Sequence, residues 1–400
     1  MRMNRVIQWG AGLGLAMGAA VCMGQHSPPP QSQRQIALDL EQQGKNVEAE
    51  AAWRVFLMAH PSNPEPYAHL GLLEARQEHY KEAVPLYRKA LAMNPAIPGL
   101  RLNLGLALFK GGEMKQAIVE FKLLLKNQPP SSPEIQRLTI LIGMAHYGLG
   151  EYAEAVPYLK AAAARDEKNL PLRLALAHSC LWSKQYQCVL DVYHEILMLD
   201  AESAEADMLA GEALNELKDT PGAIQQFRSA IQANPKEPNV HFGLGYLLWT
   251  QTAYREAADE FQAELANDPN HMQAMLYLAD SYIQLNQYDE AAPLLEKVLK
   301  LDSGLGLGHL DLGIVLAQAG HNEDALRELT TAAKLMPEDV NVHWRLGRLY
   351  RTMGMKEEAK AEFAKASSLN KAADDALFNK INNAHAKSKP AQQPPAEPEK

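Results

Sequence analysis

The chain has few of the residues from which reactive centres are built. Only three cysteines occur in 400 residues, Cys22, Cys180 and Cys188, and no C-x-x-C or C-x-x-C-H run is present. Its thirteen histidines include no H-E-x-x-H pair, so neither a zinc-protease helix nor a haem attachment site can be assembled from local sequence. Alternating strand-type patterning is almost absent. Gly10, Gly12 and Gly14 fall within the apolar N-terminal stretch, and Gly304, Gly306 and Gly308 have no strand before them, so neither cluster reads as a phosphate loop. Basic charge is also in deficit, with 39 lysines and arginines against 48 acids and a net charge of −9. A nucleic-acid partner would need a basic surface, and broad contact with anionic lipid is disfavoured for the same reason. Nothing calls for a cofactor or a metal, and an enzyme is not expected.

The first residues are unlike the rest. Arg2 and Arg5 precede an apolar stretch from Val6 to about Met23, followed by Gln25-His26-Ser27-Pro28-Pro29-Pro30. That layout predicts a secretory signal over 1–24, cleaved after Ala20 or Gly24, with a short linker over 25–29. The protein is therefore expected to be exported, periplasmic or secreted. An uncleaved membrane anchor and acylation at Cys22 are the alternatives, although Val21 stands where a lipoprotein signal has a small residue.

From residue 30 a 34-residue period takes over. Numbering each repeat 1 to 34, position 8 is Ala37, Gly71, Gly105, Gly143, Ala177, Gly211, Gly245, Ala279, Gly313 and Gly347. Position 20 is alanine in every repeat except the fifth, which has Val189, and position 24 is bulky, from Trp53 and Tyr87 to Leu329 and Phe363. Proline recurs at position 32, as in Pro61, Pro95 and Pro337, and glycine at position 15, namely Gly44, Gly112, Gly150, Gly320 and Gly354. Apolar residues in each half fall at helical spacing, as in Leu70, Leu73, Ala83, Leu86, Tyr87 and Ala90, so each repeat reads as two amphipathic helices. Small residues at 8 and 20 let the two axes approach, with the residue at 24 filling the space beside them. Pro85, Pro157 and Pro293, all at position 22, read as first-turn residues of a second helix.

This skeleton resembles the tetratricopeptide repeat (TPR) family in length and in its small/Ala/aromatic/Pro pattern. The resemblance implies an all-α, right-handed superhelical solenoid of about ten helical hairpins. Three repeats span 30–131, an insertion occupies 132–135, and seven repeats follow over 136–373. The insertion, beside Pro129, Pro130 and Pro133, is either a longer loop or a link at which the two blocks bend. Leu377, Phe378 and Ile381 suggest a capping helix over 374–389, and the Pro/Gln/Glu-rich stretch 390–400 reads as a disordered tail.

In the family, the first helices line a concave groove, with positions 2, 5, 9, 12 and 13 reaching the ligand. Carried over, these positions make the groove apolar and aromatic in the middle, and Phe109, Tyr147, Trp182, Tyr246 and Trp249 are the expected exposed anchors. Glu205, Glu212, Glu216 and Asp280 make repeats six to eight acidic, whereas Arg345, Arg348 and Arg351 place positive charge in the last repeat, as an anion site or a solvated face. The family's chaperone-tail clamp is absent, because Asn103 is flanked by Ala68 and Leu72 before it and by Arg137 and Leu141 after it. A protein or peptide ligand with an apolar or amphipathic segment is expected instead.

Two smaller features remain. Cys180 and Cys188 face each other across the turn of repeat five, as a disulfide or as two buried apolar side chains. His241, His309 and His343 share position 4 and read as packing residues rather than a metal ladder. The resulting expectation is a non-catalytic exported scaffold. An assembly factor for envelope polysaccharide, pilus or protein export, and an accessory subunit of an enzyme such as a glycosyltransferase, are the alternatives.

Overall fold

In the computed structural model, residues 30–387 are described, with side chains described over 33–372; the expected signal, linker and tail lie outside them. All regular structure among the described residues is helical. The helices are α1 (Pro30–Gln42), α2 (Asn46–Ala59), α3 (Pro64–Arg76), α4 (Tyr80–Met93), α5 (Leu100–Lys110), α6 (Met114–Lys126) and α7 (Glu134–Gly148). They continue as α8 (Tyr152–Ala163), α9 (Leu170–Trp182), α10 (Tyr186–Leu197), α11 (Ala204–Glu216), α12 (Thr220–Ala233), α13 (Val240–Thr250) and α14 (Tyr254–Asn267). The last are α15 (Met272–Gln284), α16 (Tyr288–Leu301), α17 (Gly306–Gln318), α18 (Asn322–Leu335), α19 (Val340–Thr352) and α20 (Lys356–Lys387). Each repeat is one hairpin, and the chain is an all-α solenoid of stacked hairpins.

The turn inside the hairpin is invariant. Every first helix ends at position 13 and every second helix begins at position 17. Position 15 takes a left-handed backbone in all ten repeats, at the five expected glycines and also at Glu78, Lys184, Lys218, Thr252 and Asn286. That conformation lets the amide of position 16 reach back to the carbonyl of position 11, at 2.7–3.0 Å, from Lys45 to Leu40 through to Met355 to Tyr350. These bonds satisfy carbonyls that the helix end leaves open.

Packing between the paired helices follows the small-against-large rule. A Cβ added at Gly71, Gly105, Gly211, Gly245 or Gly347 would stand 2.5–2.9 Å from the position-24 ring of its own repeat, and at Gly313 it would meet Leu329 at 2.7 Å. The position-20 residues are buried throughout, Val189 included. Histidine at position 4 adds a polar clasp. Nδ1 of His241, His309 and His343 pairs with Glu260, Glu328 and Glu362 at 2.5–2.6 Å, while Nε2 faces the carbonyls of Pro235, Ser303 and Pro337 at 3.0–3.1 Å. Each imidazole thus joins the two helices of its hairpin to the link before it.

Three local expectations change. Second helices start at position 17, so Pro85, Pro157 and Pro293 are sixth residues, one turn inside α4, α8 and α16, rather than first-turn residues. Each helix survives because the carbonyl that loses its bond belongs to exposed Lys81, Ala153 or Asp289, where water can replace it. The insertion 132–135 is only half a loop. The Ser132 hydroxyl accepts the Glu134 amide at 3.2 Å, and α7 begins there. Finally, α20 runs unbroken past residue 374, so the expected capping helix is a continuation of the last hairpin and not a separate element.

The chain divides into two compact units that part between Ala145 and His146, within α7. In the first, Ala37, Ala49, Trp53, Phe56, Leu70 and Leu73 form a continuous core. The second contains one cluster around Phe227, Leu244, Leu248 and Phe261 and another around Leu295, Leu310, Val315 and Leu329.

Candidate functional site

Repeats five, six and seven, all in the second unit, enclose a cleft of about 490 Å³. Its lining comes from α9 (Leu181, Trp182), the adjoining turn and start of α10 (Lys184, Tyr186), α11 (Met208, Glu212, Asn215, Glu216) and the α12 ring Phe227, with Asn239, Phe242, Gly243, Tyr246 and Leu247 at α13. Most first-helix residues in this set occupy positions 2, 5, 9, 12 and 13. Trp182 and Tyr246, two of the expected anchors, are here and open to solvent at 54% and 37%.

Each wall is built on an aromatic ladder. On α13, Phe242 and Tyr246 stack at 6.4 Å and Tyr246 and Trp249 at 6.2 Å, while Tyr277 meets Tyr246 and Trp249 edge-on at 5.4 and 5.1 Å. The Trp249 indole N–H donates to Asp280 at 2.5 Å, so this residue braces the wall rather than lining the cleft. On the other side, Trp182 contacts Tyr152 edge-on at 4.6 Å, and Tyr152 meets Tyr147 at 5.8 Å. Tyr147 is thus half-buried support behind Trp182. Burial raises the Tyr147 and Tyr277 phenol pKa values, with neighbouring phenols and carboxylates adding to the shift.

Backbone chemistry fixes the α13 wall. Asn239 adopts a left-handed conformation before the helix, and the buried carboxylate of Glu264 accepts the amides of Asn239 and Phe242 at 3.0 and 3.1 Å. Glu264 on α14 thereby caps the helix that carries the aromatic ladder. His271 donates from Nε2 to the Asn239 side chain at 2.9 Å, while its Nδ1 accepts the Ala274 amide at 3.0 Å. A Cβ at Gly243 would fall 2.2 Å from the Phe227 ring, so the cleft floor requires glycine there.

The cleft is acidic along α11. Glu205 pairs with His178 at 2.7 Å, but among the described residues no ion pair reaches Glu212 or Glu216; the Tyr186 hydroxyl donates to Glu216 at a long 3.4 Å. Glu212 remains open to solvent, yet the surrounding walls desolvate its carboxylate enough to raise its pKa, against a smaller opposing effect of His178.

The other expected residues lie elsewhere. Phe109 belongs to the first unit, half-buried with its ring 6.5 Å from Phe121. Arg345 and Arg348 line a separate cleft of about 240 Å³ with Gln318, Asn322 and Thr352. Both guanidinium groups lie over the exposed Trp344 ring, at 5.5 and 4.8 Å. Burial lowers the Arg345 pKa, as does Arg348, while Asp311 opposes the shift. Asp311 is itself deeply buried, and desolvation, reinforced by Asp280, lifts its carboxyl well above the ordinary value. Arg351 stands apart from this cleft, its guanidinium 5.8 Å from the Phe363 ring centroid. Cys180 and Cys188 are joined as a disulfide between α9 and α10, with Cα atoms 5.8 Å apart.

Sequence reasoning passed over Tyr152, Tyr186 and Tyr277. A signal for the first two was present: position 17 is tyrosine in five repeats, Tyr80, Tyr152, Tyr186, Tyr254 and Tyr288, and that position opens the second helix beside the groove.

Comparison with known proteins gives one consistent answer. Tetratricopeptide repeat models match residues 34–95, 74–139, 137–169, 242–305 and 340–372, and a TPR repeat model matches 211–251. Anaphase-promoting complex subunit 3 of Schizosaccharomyces pombe is 25% identical over 209 residues, covering 52% of this chain and 31% of that protein. The TPR repeat-containing protein YpiA of Bacillus subtilis is 22% identical over 266 residues, covering 65% of this chain and 59% of that protein. Among solved structures, YrrB, described as a TPR protein with an unusual peptide-binding site, overlays at a TM-score of 0.40 with 19% identity, covering 47% of this chain and 97% of that chain. MamA from Desulfovibrio magneticus RS-1 also overlays at 0.40, with 20% identity over 43% of this chain and 97% of that chain. With its invariant hairpin turn, its small-against-large packing and tetratricopeptide repeat models matching more than half its length, the chain belongs to the tetratricopeptide repeat family.

Proposed function

We propose that this protein is an exported, non-catalytic adaptor that binds a segment of another protein in the cleft of repeats five to seven. The observation that carries this reading is the pair of exposed aromatics, Trp182 and Tyr246, on opposite walls of a cleft built from the ligand-facing positions of three successive first helices. Large rigid side chains of this kind supply contact area at small entropic cost and are the usual anchors of protein recognition. The cleft is large enough for one or two side chains of a bound segment. Export is supported by the charged and apolar layout of residues 1–24, and the absence of a local metal or nucleophile motif supports binding over catalysis.

Affinity capture from extracts of the native cells tests the binding, with the wild-type chain beside a Trp182→Ala/Tyr246→Ala variant. Partners held by the wild type are expected to be lost from the variant, and an identical set on both would overturn the cleft as the binding site. N-terminal sequencing of the cellular protein tests export: a chain beginning after Ala20 or Gly24 is expected, and an intact cytosolic chain would contradict it.

A further inference from the structure

The acidic stripe on α11 narrows what the cleft accepts. Other carboxylates on the second unit's helices have close partners: Glu264 accepts two backbone amides, Asp207 accepts the Tyr193 hydroxyl at 2.7 Å, Glu195 pairs with Arg173 at 3.0 Å, and Glu260, Glu328 and Glu362 each meet a position-4 imidazole. Glu212 and Glu216, one helical turn apart on α11, make no ion pair among the described residues, and only the long Tyr186 contact reaches Glu216. Lys184 is the cleft's only cation among the described residues and makes no ion pair with either.

An apolar segment laid over these carboxylates would strip water from both and return no hydrogen bond, which costs more than its contact area gives back. An acidic segment would add repulsion. A divalent metal would find too few oxygen ligands, since no group of three metal-binding side chains occurs among the described residues. A planar cation satisfies both features of the cleft at once: its face lies against aromatic rings while its N–H groups meet carboxylate oxygens.

We propose that the cleft is a subsite for an arginine side chain, with lysine as the weaker alternative, set among apolar residues of the bound protein segment. In this site Trp182 and Tyr246 flank the guanidinium, Glu212 and Glu216 accept its N–H groups, and Phe242 takes the adjacent apolar residue. The inference rests on the cleft being the binding site for a protein segment.

A random-peptide display library selected on the purified chain provides the test, with subtraction against Trp182→Ala/Tyr246→Ala. Selected peptides are expected to carry arginine at one fixed position between apolar residues. Replacing that arginine by citrulline, which keeps the shape and removes the charge, should weaken binding to the wild type about tenfold or more. On a Glu212→Gln/Glu216→Gln variant the two peptides should bind alike; both substitutions lie at solvent-facing positions and keep the side-chain size, and thermal melting verifies the fold. Peptides without a basic position, or an arginine whose effect is the same on the glutamine variant, would overturn the cation subsite and leave the cleft as a peptide site. Failure to select any peptide over the double-alanine control would overturn both.

Discussion

Position 15 shows how much a single backbone angle can dictate. Glycine enters the left-handed region freely, whereas an L-residue crowds its Cβ against the following carbonyl. Five repeats nevertheless place a side chain there, and Thr252, with φ of 60°, has a branched Cβ in the least tolerant conformation. Thr252→Gly should therefore stabilise the protein by about 1 kcal/mol, read as a raised denaturation midpoint at unchanged slope. Unaltered or lowered stability would mean that the threonine makes a compensating contact. The buried Asp311 yields a prediction of opposite chemical origin. Its carboxyl titrates above the value of an unfolded aspartate, so it leaves folding unpenalised below about pH 4, where the carboxyl is protonated in both states. As the pH rises the unfolded chain ionises first, and the penalty grows until the folded carboxyl also ionises. Asp311→Asn should accordingly be more stable than wild type at pH 7 and lose that advantage on acidification to pH 4, as urea titrations across this range would show.

At the scale of the element, the α13 wall depends on a helix behind it. Two amides at its start are satisfied by Glu264 on α14, which is 1% exposed, and the second of them belongs to Phe242, where the aromatic ladder begins. Glu264→Ala would leave both amides unpaired and cost about 1.5–3 kcal/mol, the range for hydrogen bonds to a charged group. It should also misplace Phe242 and Tyr246, so affinity for any selected peptide falls even where the fold persists. A variant that melts early but binds normally would show that the cap sustains stability alone. The hairpins themselves were legible in the sequence, because a small residue at position 8 matched in every repeat by a bulky one at 24 is what two closely packed helices require. Their boundaries were less so. The second helices begin at position 17, and the three position-22 prolines obscure that start, since proline is commoner in a first turn than one turn inside a helix. Glu264 carried no signal at all: a glutamate among many on an exposed-looking helix discloses its burial only when the neighbouring hairpin is in place.

At the scale of the whole molecule, most helices within each unit touch their sequence neighbours and several touch those one step further, as α9 touches α10 and α11. Such local connectivity makes the order of repeats readable from the period, which is why the fold could be anticipated over nearly all of 30–373. The site was legible only in part. Trp182 and Tyr246 follow from position alone, but Tyr147 and Trp249, at equally favourable positions, turn into supporting residues because Tyr152 and Asp280 engage them. Which aromatics in a groove are free depends on the residue opposite, which sits on the facing helix of the same hairpin for Tyr147 and in the next hairpin for Trp249. The arginines divide likewise, two lining one cleft and the third turned to Phe363 on the second helix of its own hairpin.

The bridge between α9 and α10 also makes the chain a record of its own cellular history. Of its three cysteines, two are joined in repeat five and one lies in the segment expected to direct export. Trapping free thiols at harvest with a mass tag, then unfolding the protein in the same reagent, turns compartment and processing into a count. Zero or one tag means that the bridge closed in an oxidising compartment, two or three that it never did, and the odd tag marks a Cys22 that is still present and unmodified.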